Sequence, residues 1–206
     1  GSRQDVITNV RGRGYRFVAA LAASGPSVGG ERGRSRATQL VGRAPDVDGV
    51  LERLGTAGLV SIVGPGGVGK TTLATEVARR WRESSGRSVR TVALGELTAP
   101  GSVVAALAEA TGVMADGTDA PRVVAALAGR SELLVLDNCE HLVAEVAAVA
   151  AELLDAAPDL AVLATSRERL GLAAEHVWPL HPLTGEEARR LFLQRAEATG
   201  TAAAID

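Results

Sequence analysis

Residues 59–71, LVSIVGPGGVGKT, constrain this chain more than any other stretch. Leu59–Val63 is apolar except for Ser61, the composition of a strand buried on both faces. Gly64-Pro65-Gly66-Gly67-Val68-Gly69-Lys70-Thr71 then follows the spacing G-x-x-x-x-G-K-T. From Lys70 to about Trp81 the pattern turns helical. A buried strand that enters a glycine loop and leaves as a helix belongs inside a parallel sheet, with its loop at the carboxyl ends of the strands. Glycines let successive backbone N–H groups curl around an anion without Cβ clashes, and the helix N-terminus adds partial positive charge.

Lys70 is the only lysine; every other one of the 22 basic residues is arginine. A loop this tight suits a compact, flexible ammonium, whereas a guanidinium is longer, planar and forked. The spacing assigns Lys70 to the β- and γ-phosphates, the Thr71 hydroxyl to Mg²⁺, and Thr72 to the amide nest near the α-phosphate. The bland alternative is a glycine-rich turn that binds nothing; the strand–loop–helix context and the unique lysine weigh against it.

The rest of the chain alternates between strand and helix patterns. Hydrophobic residues make up 46% and aromatics 2%, so the core is aliphatic, as suits parallel strands under Ala/Leu-rich helices. Further strands are expected at Val89–Leu94, Glu132–Asp137, Leu160–Thr165 and His176–Leu180. Helices are expected near an Asp46 cap, at Ser102–Glu109, Pro121–Leu127 and Leu142–Ala156, and after a cap at Thr184. The reading is an α/β fold with a doubly wound, parallel five-stranded sheet. A chain of 206 residues accommodates one such domain plus short extras. No apolar run reaches membrane-spanning length. The lone Cys139 forms no internal disulfide and fits a reducing, cytoplasmic compartment. Gly1-Ser2 reads as an expression scar.

Charge is uneven: residues 1–43 carry +6, which leaves −8 on the remainder of a chain of net charge −2. Such a basic arm is either a nucleic-acid-facing segment or a solvated linker. Val6–Val10 and Tyr15–Ala19 flank RGRG and read as a hairpin. Ser24–Gln39, rich in Gly, Ser and Arg, reads as a flexible linker.

A phosphate loop needs a carboxylate on a nearby strand to hold Mg²⁺, and LLVLDN supplies Asp137 after four apolar residues. Its alternative role is to cap the next helix. The following position, where many such ATPases carry a second acid, is Asn138, which cannot accept a proton from water. Glu140 either polarises that water or serves as a first-turn helix acid. Arg167, ending the fourth strand in LATSRERL, either senses the γ-phosphate, with Arg169 as fallback, or pairs at the surface with Glu168 or Asp159. Cys139, Glu140 and His141 lack metal-site spacing, and Cys139 reads as a buried thiol. His176 and His181 read as packing residues, and Arg79, Arg80 and Arg82 as a solvated helix end.

Taken together, LVGRAPDVDGVLERL, VGPGGVGKTTLA, LLVLDNCEHL, LATSRERLGL and VWPLHPLTGEEARRLF resemble, in order, the STAND ATPases related to NB-ARC modules, and within them bacterial transcriptional regulators of actinobacterial type. The resemblance implies an ASCE-type P-loop fold with strand order 5-1-4-3-2, the strand of Arg167 lying between the loop strand and that of Asp137. It implies that Val41-Gly42-Arg43 lies against adenine, with Ala44 where the family carries an acid. ITNVRGRGYRF resembles the terminal wing hairpin of an OmpR/PhoB-type winged helix. The implied organisation is a winged-helix remnant at 1–19, a linker at 20–39 and a nucleotide domain at 40–206 without its helical lid. The implied function is an ATP/ADP switch with slow Mg²⁺-dependent hydrolysis, reaching DNA through the parent protein and self-assembling with nucleotide. Alternatives are an AAA+-like motor and a small-molecule P-loop kinase.

Overall fold

The computed structural model describes residues 7–10, 14–17, 40–97, 99, 101–113 and 119–198. The chain divides into two compact units, Gly1–Thr38 and Gln39–Asp206. In the first, β1 (Ile7–Val10) and β2 (Gly14–Phe17) pair antiparallel, with Ile7 opposite Phe17. The hairpin read from the sequence is therefore present, with slightly shorter strands. The linker expected at 20–39 lies outside the described residues.

The second unit runs α1 (Ala44–Leu54), β3 (Leu59–Val63), α2 (Lys70–Ser85), β4 (Ser88–Ala93), α3 (Ser102–Thr111), α4 (Ala120–Leu127) and β5 (Glu132–Asp137). A 3₁₀ turn (Cys139–His141) then leads into α5 (Val143–Ala156), β6 (Ala161–Ser166), β7 (Glu175–Pro179) and α6 (Gly185–Ala198). The five strands of this unit form one parallel sheet in the order β4-β5-β6-β3-β7. Read from the other edge, this is the expected 5-1-4-3-2 order, with β6 inserted between the loop strand β3 and β5.

Burial follows the position of each strand. Every residue of the inner strands β5 and β6 is buried, as their continuous apolar runs demand. Edge strands β4 and β7 carry polar residues and are partly exposed. Alternate side chains feed opposite faces. Val60, Ile62, Val135 and Leu163 meet Val47 and Leu54 of α1 and Leu73 and Val77 of α2. Leu134, Leu136 and Val162 meet Leu107 of α3, Leu127 of α4 and Leu153 of α5. A fully buried side chain of this size contributes about 1.5–3 kcal/mol, so both layers contribute to holding the sheet in place.

Two helix boundaries differ from the sequence reading by more than two residues. Helix α1 starts at Ala44, and Asp46 lies inside its first turn instead of capping it. Pro45 explains this, because the first turn has no use for the N–H that proline lacks. Helix α2 continues past Trp81 to Ser85, where Gly86 at φ 67° closes it and the Ser85 hydroxyl bonds back to the Trp81 carbonyl.

Trp178 of β7 joins the sheet edge to α1. Its Nε1 donates to Asp46 Oδ1 at 3.1 Å, and its ring lies so close to Gly49 that any Cβ there would overlap it. Gly49→Val is therefore expected to destabilise the domain by about 2 kcal/mol through overpacking. The loss should appear as a lower urea midpoint and a red-shifted tryptophan emission.

Candidate phosphate-binding site

The glycine loop leaves β3 and ends where α2 begins. Gly67 (φ 77°) and Gly69 (φ 102°) adopt the left-handed backbone that side chains disfavour, which is why glycine occupies both positions. Lys70 is buried, only 6% exposed, and its ammonium donates to the Gly64 carbonyl at 3.0 Å and the Pro65 carbonyl at 3.2 Å. A cavity of about 350 Å³ opens over the loop. Gly66, Gly67, Gly69, Lys70, Thr71 and Thr72 line it from one side, and Asn138, Glu140 and Arg167 from the tips of β5 and β6. Loop residues and the two strand tips thus share one space, while Asp137 lies outside its lining and meets the site through Thr71.

Asp137, at the end of β5, receives two hydroxyls. Thr71 donates to its carboxylate, with oxygens at 2.9 and 3.0 Å, and Thr165 of β6 donates at 2.5 Å. The Thr165 oxygen in turn accepts the Asn138 N–H at 2.9 Å. The Thr165 contacts follow from the pairing of β5 with β6, in which Leu136 stands opposite Ala164, bringing the next residues of both strands to the same edge. Asp137 does not cap the following helix: the 3₁₀ turn has no side-chain cap. Sequence reasoning gave Thr165 no role. Only the strand order identifies it, because Thr165 is distant from Asp137 along the chain.

Asn138 has φ 63° and ψ 53°, the one non-glycine residue of positive φ among those described. Asparagine tolerates this conformation better than most side chains, which gives a backbone reason for its presence beside Asp137. Its side chain lies against Gly95.

Glu140 sits in the 3₁₀ turn rather than in the first turn of α5; the acid in that helix turn is Glu145, which accepts the Val103 N–H. The Glu140 side chain is 11% exposed, and its Oε1 accepts Arg167 Nε at 3.1 Å, while Oε2 is buried without a hydrogen-bond partner. The Arg167 side chain is 62% exposed. Its ion-pair partner is Glu140, not the Glu168 or Asp159 considered from sequence.

The segment before α1 occupies the far side of the loop. Gly42, at φ 71°, lies against the Glu187 carboxylate, where a Cβ would collide. The Arg43 guanidinium is buried and donates to Asp46 at 3.2 Å, the Val68 carbonyl at 3.3 Å and the His181 carbonyl at 2.6 Å. On the outer face of α2, Arg79 pairs with Glu76 and Glu83, and Arg80 with Glu76 and Asp48, as solvated ion pairs.

A glycine loop between a buried strand and a helix, an inserted strand beside it and a threonine–aspartate contact across the loop define a P-loop ATPase domain. Residues 52–173 match the family described as AAA domain, and the chain belongs to that family. A Mycobacterium tuberculosis protein named as an HTH-type transcriptional regulator is 40% identical over 141 residues, covering 67% of this chain and 16% of that protein. Regulatory protein AfsR of Streptomyces griseus is 35% identical over 169 residues, covering 73% of this chain and 17% of AfsR. The chain therefore spans about a sixth of the length of these relatives. Among solved structures, the STAND protein with a tetratricopeptide repeat sensor from Pyrococcus horikoshii matches with TM-score 0.51 at 17% identity, covering 80% of this chain and 27% of that one. Cdc6p from Pyrobaculum aerophilum matches with TM-score 0.61 at 14% identity, covering 81% and 52%. These likenesses show the fold. Among the described residues, no helix is long and apolar enough to cross a membrane.

Cys139, beside the site, is fully buried, and its thiol bonds to the Leu136 carbonyl. Burial is the main cause pushing its pKa up to about 12. The native thiol is therefore expected to resist Ellman's reagent at pH 8 and to react stoichiometrically once the protein is unfolded in guanidinium. Rapid labelling of the folded protein would contradict this placement.

Proposed function

We propose that residues 40–198 form an adenine-nucleotide switch within a transcriptional regulator, holding ATP or ADP with Mg²⁺ and hydrolysing ATP slowly. The observation that carries this reading is the Glu140–Arg167 ion pair at the mouth of the Lys70 cavity, with Asn138 in place of a second acid. The loop amides and Lys70 cradle the phosphates, Lys70 exchanging the Gly64 and Pro65 carbonyls for phosphate oxygens. Thr71 and Asp137 supply the oxygen donors that a hard divalent cation takes, and they already converge on each other. A Mg²⁺ held by Thr71 and Asp137 would supply neutralisation of the phosphate charge.

Arg167 reads the third phosphate. A γ-phosphate competes with Glu140 for the guanidinium, and a diphosphate offers it nothing at that distance. Hydrolysis is slow because Asn138, at the position after Asp137, cannot take a proton from water. Val41-Gly42-Arg43 lies near the base, which it meets through backbone, since the Arg43 side chain is engaged with protein acceptors. The names of the longer relatives support DNA binding by the parent protein. Residues 1–19 then belong to a wing and 20–39 to a linker, and nucleotide-dependent self-assembly follows from exchange of ADP for ATP. The AAA-domain match favours a second reading, a motor ATPase, which requires turnover in the usual enzymatic range of ~1–10³ s⁻¹.

Lys70→Ala is expected to abolish MgATP and MgADP binding in calorimetry while circular dichroism stays unchanged; wild-type affinity in the folded variant would overturn the reading. Arg167→Ala is expected to weaken ATP by ~10- to 100-fold, the loss of a charged hydrogen bond, with ADP unaffected. Glu140→Gln is expected to lower the single-turnover rate without weakening ATP binding. Fast multiple turnover by the wild-type chain would favour the motor.

A further inference from the structure

Arg43 and Lys70 are the two buried cations among the described residues, and both donate to carbonyls of the same glycine loop. Lys70 lines the cavity; Arg43 does not. Burying a guanidinium is costly unless its donors are matched, and Arg43 matches them with one carboxylate and two carbonyls. Such an arrangement fixes geometry more than it adds stability.

The geometry it fixes is that of one peptide. Val68 C=O and Gly69 N–H belong to the same planar, trans amide, so the two groups point in opposite directions. Holding the carbonyl on Arg43 turns the N–H away from Arg43, toward the side of the loop where Gly69 lines the cavity. Gly69 has φ 102°, a conformation open to glycine that a free loop would leave readily. A cation on the carbonyl also polarises the amide and strengthens its N–H as a donor.

The guanidinium is itself anchored. Asp46 grips it at 3.2 Å and is held in turn by Trp178 Nε1 at 3.1 Å. The His181 carbonyl, just beyond β7, accepts at 2.6 Å from Nη2, the nitrogen that also donates to the Val68 carbonyl. Leu180 N donates to Val63 O at 2.7 Å, and the Leu180 carbonyl closes so tightly on Gly64 that a Cβ there would lie 2.7 Å from it. The loop is thus bound to the exit of β7 at its first glycine and, through Arg43, near its last.

We propose that Arg43 is a positioning residue for anion binding: it orients the Gly69 amide toward phosphate, and its side chain takes no part in recognising a base. This rests on the nucleotide-binding reading above. The probes are MgATP and magnesium tripolyphosphate, which has the phosphate chain and no adenine, titrated calorimetrically into the full chain. Arg43→Ala removes the ion-pair partner of Asp46 and leaves a buried void. Arg43→Lys therefore accompanies it, because it keeps the charge but is shorter and carries its donors at one point. Both variants are checked by circular dichroism.

The expected result is that Arg43→Lys binds ATP and tripolyphosphate more weakly by the same factor, ~10-fold, the worth of one well-oriented charged hydrogen bond. A loss confined to ATP would mean that the side chain reads the base and would overturn the proposal. Unchanged binding of both probes with a lowered unfolding midpoint would reduce Arg43 to a structural tie and overturn it equally. If the wild-type chain binds neither probe, the nucleotide reading itself fails and the proposal falls with it.

Discussion

The carboxylate of Asp137 is the point on which the site depends. It takes one hydroxyl from the first turn of α2 and another from the tip of β6, while its own backbone closes β5. A buried carboxylate left without donors is costly, and charge-assisted bonds of this kind are about twice as strong as neutral ones. Meeting that demand fixes three elements relative to one another. Helix α2 cannot slide along the sheet without releasing Thr71, and β6 cannot shift register without releasing Thr165. The glycine loop is therefore presented from a rigid frame although its own backbone is permissive.

The cations divide the work by chemistry. Lys70, a compact ammonium on a flexible stem, lines the cavity and donates to two carbonyls of the loop. Arg43, a rigid fork, spans three acceptors on three different segments, which an ammonium of that reach cannot match in geometry. Arg167 is largely exposed and rests on a single carboxylate oxygen, so its position is the most easily changed of the three. One loop is thus served by a cavity-facing cation, a fixed cation and a movable cation. That division explains why a chain rich in arginine keeps a single lysine.

The sequence by itself determined the loop, the strand before it, the helix after it and the acid at the end of β5. Each of these is a local pattern: an apolar run, a glycine spacing or a helical period, in which neighbours in the chain are neighbours in space. It also gave the strand order, through resemblance. It misread the start of α1, because Asp46 is a good cap in isolation while Pro45 sets the first turn and Trp178, far along the chain, claims the carboxylate. Tertiary structure alone decided the partners of Asp137, Glu140 and Arg43. Thr165 reaches Asp137 only because β6 pairs with β5; Arg167 reaches Glu140 across the same edge; and Arg43 finds Val68 and His181 only once β7 has paired with β3. No residue type or spacing encodes those meetings, since each joins segments separated by 25 or more positions and depends on the order in which the strands lie.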